Sequence, residues 1–307
     1  MRDWSNGIAA QIGSALLTVI AVATIVFSLI HAVPGDPVDV LLGEYASTSD
    51  RAAIRTRLGL DAPLSTQWWH FLNGAVRLDF GESLLREQAV NDLLWFHLRY
   101  TALLAASAFV IAIAVGIPLG IIAATRVGGL ADRGAMVLAL LGLAVPNFVL
   151  GPVFIWIFAI HFGWLPAGGA DSGAALILPA LTLGISMAAL LARMTRATML
   201  EVINQPYMIA ARARGLSSWS LNVHAMRNVA LPVVTVMGLQ LGALLGGAVI
   251  TEAVFGWPGI GLLLVDAIQQ RDYPVVQACV LVISLTYVGL NLVTEFVYRW
   301  LDPRVRC

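Results

Sequence analysis

The sequence predicts an all-α integral membrane protein, and three observations carry that prediction. Of the 307 residues, 59% are apolar and only 12% are charged, where ordinary soluble domains carry about 25% charge. Mean hydropathy is +0.84. Six apolar runs stand at about 8–33, 101–124, 135–162, 175–192, 229–251 and 276–298. Each approaches or exceeds the roughly 20 residues that a helix needs to cross ~30 Å of hydrocarbon. A helix is the expected form because lipid offers no partner to backbone N–H and C=O groups.

The first run is too long for a secretory h-region. It ends in Leu29-Ile30-His31-Ala32-Val33-Pro34 with no convincing small-x-small cleavage site, so it reads as a retained helix. Pro179 and Gly184 interrupt the fourth run, which membrane helices tolerate when neighbours satisfy the freed groups. Orientation follows from arginine. With the N-terminus inside, the inner loops hold Arg126, Arg133, Arg193, Arg196, Arg212, Arg214 and Arg227, while the short outer loops hold only Arg271. The remaining outer arginines lie in or beside one long loop, which counts little in the positive-inside rule. Both termini are therefore expected in the cytoplasm.

Several function classes drop out on composition. The formal net charge is zero, so no basic excess collects nucleic-acid phosphates. All eighteen basic residues are Arg and none is Lys. A P-loop needs its Lys at the β/γ-phosphates, and Schiff-base chemistry needs a Lys amine. Cys279 and Cys307 make no disulfide framework. The five histidines, at 31, 70, 97, 161 and 224, form no H-x-x-x-H pair, so no metal site is expected from this chain.

Residues 34–98 are too long for a bare connector. Ser49-Asp50 precedes a short helix at 51–58, and Gly59 stops it. Pro63-Leu64-Ser65 precedes a second helix with an aromatic face, Asp79-Phe80-Gly81 is a turn, and Asn91-Asp92 caps a segment entering the second membrane helix. Trp68 and Trp69 read either as membrane-interface anchors or as a docking surface for an external partner. The expected organisation is 1–33 as N-terminus and first helix, 34–98 as the outer loop, and 99–307 as a core of five further spans.

The inner insert, about Met194 to Asn228, is the most informative segment. Tyr207, Ala210, Ala211, Arg212, Ala213 and Arg214 alternate small and basic groups; Gly215 stops the helix, Leu216 follows, and Ser217 caps the next one. The physical reading is a short surface helix over about 207–218. Small residues allow close approach, and guanidinium groups are available to carboxylates. A solvated or headgroup-facing basic helix is the bland alternative.

Within the runs, Gly238, Gly242 and Gly246 recur every four residues, as do Gly116 and Gly120. Such stripes bring helices to backbone distance, or line a wide path. Asn147 and Gln240 are intramembrane polar groups, placed either to touch a solute or to bond a neighbouring helix. Glu252 and Asp266 stand near the outer mouth. Gly256-x-x-Gly259-x-Gly261 follows a membrane helix, not a strand, so it is no dinucleotide fingerprint; a turn and a short amphipathic helix are expected there. Glu295 and Arg299 have i,i+4 spacing for an ion pair.

Read in order, these pieces carry a resemblance. Pro34-Gly35-Asp36-Pro37, Leu58-Gly59-Leu60-Asp61-x-Pro63, Asp79-Phe80-Gly81-x-Ser83, Gly116-Ile117-Pro118-Leu119-Gly120, Trp164-Leu165-Pro166, Ala211-Arg212-Ala213-Arg214-Gly215-Leu216-Ser217, Val254-Phe255-x-x-Pro258-Gly259-x-Gly261 and Arg271-Asp272-Tyr273-Pro274-Val275-Val276-Gln277 run nearly the whole chain. Together they resemble the first permease of dipeptide, oligopeptide and nickel ABC importers. Ile209 sits where the broader importer family often has Glu, as is common in the peptide-type branch.

The resemblance implies a type I permease fold, no enzymatic activity, and a location in a bacterial or archaeal cell membrane. It implies four kinds of partner: a second permease, two ATPase subunits, an external binding protein, and lipid. No cofactor would be bound by this chain; ATP and Mg would sit in the ATPases. Tyr207 and Ala210–Ser217 would dock on the ATPase. Asn147, Gln240, Gly238, Gly242 and Gly246 are the path candidates, and Trp68, Trp69, Glu252 and Asp266 the candidates for binding-protein contact. Peptides are the expected cargo, with nickel chelates or haem as alternatives. A stand-alone secondary transporter fits less well, since no internal repeat or central buried charge is visible. An intramembrane enzyme would need a nucleophile–base pair that the runs lack.

Overall fold

A computed structural model describes residues 17–28, 48–57 and 59–301, with Gly13 and Val38 as isolated positions. The helices are α1 (Leu17–Ser28), α2 (Thr48–Arg57), α3 (Leu64–Arg77), α4 (Val90–Thr125), α5 (Leu130–Ala144), α6 (Asn147–Phe154), α7 (Ile177–Ile203), α8 (Pro206–Ala213), α9 (Ser218–Phe255), α10 (Ile260–Gln269) and α11 (Tyr273–Leu301). A π-helical stretch, Ile155–His161, continues α6, and a 3₁₀ turn, Gly173–Leu176, leads into α7. Among the described residues the only β pairing is one bridge, Glu82 with Ala89.

Four described helices are long and apolar enough to cross a membrane, and the bent pair Leu130–Ala144 with Asn147–His161 makes a fifth if counted as one span. The first apolar run is described as helix over Leu17–Ser28, and its flanks lie outside the described residues. Four helices outgrow their runs. α9, with 38 residues, is about 57 Å long at 1.5 Å per residue, far more than the hydrocarbon requires. Its first turns carry Ser218, Ser220, Asn222, His224 and Arg227, so the polar insert and the fifth run form one rod.

The third run departs from the expected single span. It bends by 105° between α5 and α6. Pro146 is the cause: it disfavours a helical residue before it, and Val145 is extended at φ −89°, ψ 115°. Asn147 then opens α6 instead of lying inside one helix. Asn91 also differs from expectation. It lies inside α4, and its Nδ2 donates to the Leu78 carbonyl at 2.6 Å.

The described residues form two compact units. One takes those up to Tyr100 with Pro258–Val288. Its core gathers Val90, Leu93 and Leu94 from α4 with Ile260, Leu263, Val275 and Cys279. α3 is held to α1 by the Trp68 indole, which donates to Thr24 Oγ1 at 3.2 Å, and by Phe27 stacked on Phe71 at 6.4 Å.

The other unit takes Thr101–Trp257 with the residues from Gly289 onward, and α7 is its hub. In its most apolar window 61% of residues are buried, against 22–28% in α4, α9 and α11. On α4, Leu104, Ala108, Ala112, Gly116, Gly120 and Ala124 are all buried, one every four residues. They face Gly184, Ala188, Leu191, Ala192 and Thr195 of α7. A Cβ on Gly116 would stand 2.8 Å from the Ala188 carbonyl, and one on Gly120 would stand 2.7 Å from that of Ala192. The expected stripe on α9 splits. Gly238 packs onto Thr294 with no room for a Cβ, Gly242 is buried, and Gly246 has nothing within 4 Å.

Gly120→Leu should therefore wedge α4 from α7 and cost about 1–3 kcal/mol, the usual range for overpacking. Gly246→Ala should leave stability unchanged. Thermal melting of the two variants in detergent checks both.

Candidate functional site

α8 begins where Gln205 is extended and Pro206 takes the first helical position, where its missing N–H costs nothing. It ends in the reciprocal bond pattern of a Schellman cap. Gly215 N–H donates to Arg212 O at 3.0 Å and Leu216 N–H to Ala211 O at 3.4 Å. Gly215 has φ +81°, a left-handed conformation that suits glycine. Ser217 caps α9, its hydroxyl accepting from Ser220 N–H at 3.3 Å. The expected stop and restart both stand.

The helix has two faces. Met208 and Ala211 are 1% and 3% exposed. Met208 lies in a cluster with Leu191 and Met199 of α7, Ala225, Val229 and Val233 of α9, and Ala124 of α4. Tyr207 accepts a 2.5 Å bond from Asn228 Nδ2, tying α8 to α9. The opposite face is open: Ile209, Ala210, Arg212, Ala213, Arg214, Gly215 and Ser217 are exposed, and Leu216 is half-buried. Ala211, a member of the expected docking set, is buried against its own chain. It follows Met208 by three residues, which puts both on the inward side of one turn.

The two polar path candidates, Asn147 and Gln240, converge on one point of α7. Ser186 Oγ donates to Asn147 Oδ1 at 2.6 Å, and Gln240 Nε2 donates to the Met187 carbonyl at 3.3 Å. Both side chains thus tie α6 and α9 to neighbouring residues of α7. Of the two roles open on sequence, bonding a neighbouring helix is the one this geometry displays.

Among the binding-protein candidates, Glu252 is enclosed. α9 runs on to Phe255, so Glu252 lies in its final turns at 0% exposure, accepting from Thr101 Oγ1 at 2.6 Å. Asp266 is half-exposed, 4.0 Å from Arg86. Trp69 is 62% exposed while its neighbour Trp68 turns to α1. Glu295 lies on α11; the side chain of Arg299, its expected partner, lies outside the described residues.

Two polar links escaped sequence reasoning. Asp132 and Arg196 form a two-pronged pair, Nε to Oδ1 at 2.6 Å and Nη2 to Oδ2 at 2.9 Å, joining α5 to α7. Asp272, 2% exposed, accepts from Ser83 Oγ at 2.5 Å and from Leu84 N–H at 3.2 Å. That second link joins the Asp79-to-Ser83 turn to the Arg271-Asp272-Tyr273-Pro274 segment. Each acid was visible in sequence, but nothing local named its partner.

A set of long apolar helices, with a short exposed basic helix between two of them, is the architecture of an importer permease. The profile of the binding-protein-dependent transport system inner membrane component matches residues 116–306, and the N-terminal profile of such components matches 7–92. The chain belongs to this family: it is a multi-pass permease subunit of an ABC importer, and ATP hydrolysis belongs to separate subunits. It is 43% identical over 290 residues to the glutathione transport system permease protein GsiC of Escherichia coli strain K12, covering 94% of this chain and 95% of that protein. GsiC of Salmonella choleraesuis strain SC-B67 is 42% identical over the same length and shares. In fold, the chain is similar to the inward-facing methionine ABC transporter MetNI, with TM-score 0.58, 19% identity, and coverage of 68% of this chain and 96% of that one. An amino acid ABC transporter bound to histidines gives TM-score 0.54 at 15% identity, covering 68% and 94%.

Exposure sorts the outer candidates into a simple expectation. In the detergent-solubilised protein, Asp266→Cys and Trp69→Cys should react with a hydrophilic maleimide, and Glu252→Cys should not until the protein is unfolded. Mass spectrometry of the labelled variants checks this.

Proposed function

We propose that this subunit forms half of a path for short peptides handed over by an external binding protein, and that the energy of ATP enters through the open face of α8. One observation carries the reading: α8 is anchored inward by Met208 and Ala211 while it presents Ile209, Arg212 and Arg214 outward. A helix fixed on one face and open on the other suits a groove on an ATPase. The arginines supply charge for carboxylates there, and Ala210 and Ala213 let it seat closely. Because this chain has no Lys, the phosphate-cradling group and its Mg belong to the ATPase partner.

Arginine placement supports an α8 on the cytoplasmic side, with both termini there, in a prokaryotic plasma membrane. The peptide class is supported by the relatives, which are glutathione permeases by name, and by the ordered motifs of the peptide-importer branch. The second permease supplies the other half of the path.

The test is reconstitution of the complete importer in liposomes with its own binding protein. Labelled glutathione and dipeptides should be taken up with ATP, and Arg212→Glu/Arg214→Glu should lower uptake about tenfold, within the usual span of coupling energies between sites. Import of nickel chelates or haem without either peptide would overturn the peptide reading. Unchanged uptake in the charge-reversed variant, at normal abundance, would overturn the docking reading.

A further inference from the structure

The Asp132–Arg196 pair joins α5 to α7, and its position matters more than its strength. Asp132 lies in the first turn of α5 at 4% exposure. Its carboxylate takes both guanidinium bonds and a third, from Gly128 N–H to Oδ2 at 2.9 Å. Arg196 lies two turns before the end of α7, and only Asn204 and Gln205 separate α7 from α8.

Elsewhere α5 meets α7 through small-residue packing. A Cβ on Gly142 would stand 3.0 Å from the Ala189 Cβ. Packing of that kind resists compression but slides. A two-pronged charge pair is directional and resists sliding. Buried pairs contribute little net stability, because desolvation offsets their attraction, so fixing register is the role that suits this one.

We propose that Asp132 and Arg196 are positioning residues that couple α8 to α5. Displacement of α8 by the ATPases moves the inner end of α7, and the pair carries that movement into α5 and the bent third span. The proposal rests on the docking reading of α8.

The test uses the complete importer in liposomes, with Gln205→Cys, at the exposed residue just before α8, added as a site for cross-linking to the ATPase. The informative variant is Asp132→Leu/Arg196→Met, which removes both charges and so leaves no lone buried ion. It should assemble, melt as the parent does, keep the cross-link, and retain basal ATP hydrolysis. ATP consumed per peptide imported should rise about fivefold or more. Asp132→Asn and Arg196→Gln should each raise it, and combining them should add little beyond either alone. Asp132→Glu should restore coupling. Parental ATP consumption per peptide in the apolar double variant, with the cross-link intact, overturns the proposal alone. Failure of that variant to assemble marks the pair as structural and also overturns it. Absence of the cross-link in the parent overturns the docking reading, and the proposal with it.

Discussion

Close fit between helices is the constraint on which the rest of this structure depends. In hydrocarbon, two helices gain nothing by hiding apolar side chains from lipid that is equally apolar; they associate through tight packing and a few hydrogen bonds. α7 meets that condition on several sides. It takes the small-residue stripe of α4 at Gly116 and Gly120, receives Asn147 of α6 at Ser186 and Gln240 of α9 at Met187, and holds Asp132 of α5 with Arg196. A helix gripped in this way moves with its neighbours or does not move at all.

That grip explains how a helix of eight residues can be held firmly. An isolated helix as short as α8 is not stable in water, and a loose one would yield under load. α8 is held by Met208 seated among residues of α4, α7 and α9, by the buried Ala211, by the Asn228 bond to Tyr207, and by a glycine cap that passes the chain into α9 after Leu216 and Ser217.

Legibility from sequence divides along the same physical line. Local signals read well: the long apolar runs, the Gly215 stop, the Ser217 cap, the short helices of the outer loop, and the ordered motifs that place the chain among importer permeases. They read well because hydropathy, caps and glycine turns act within a few residues. The 105° break at Pro146 has a local cause, since a proline disfavours a helical residue before it, but a proline alone does not give the angle. Pairings across the fold were not legible. Asp132 and Arg196 are 64 residues apart, and Ser83 and Asp272 are 189 apart; no periodicity connects them. Glu252 stands beside a turn as a surface acid would, yet α9 continues one more turn and encloses it.

Ser83 and Asp272 each sit in a motif that carried the resemblance, and each is spent on the other, inside the unit that contains them both. Glu252 is likewise spent on Thr101 within its own unit. A buried carboxylate that already accepts a hydroxyl bond would have to lose that bond before binding anything new, and an unpaired buried group is expensive. Ser83 and Asp272 therefore fasten two segments of their own unit.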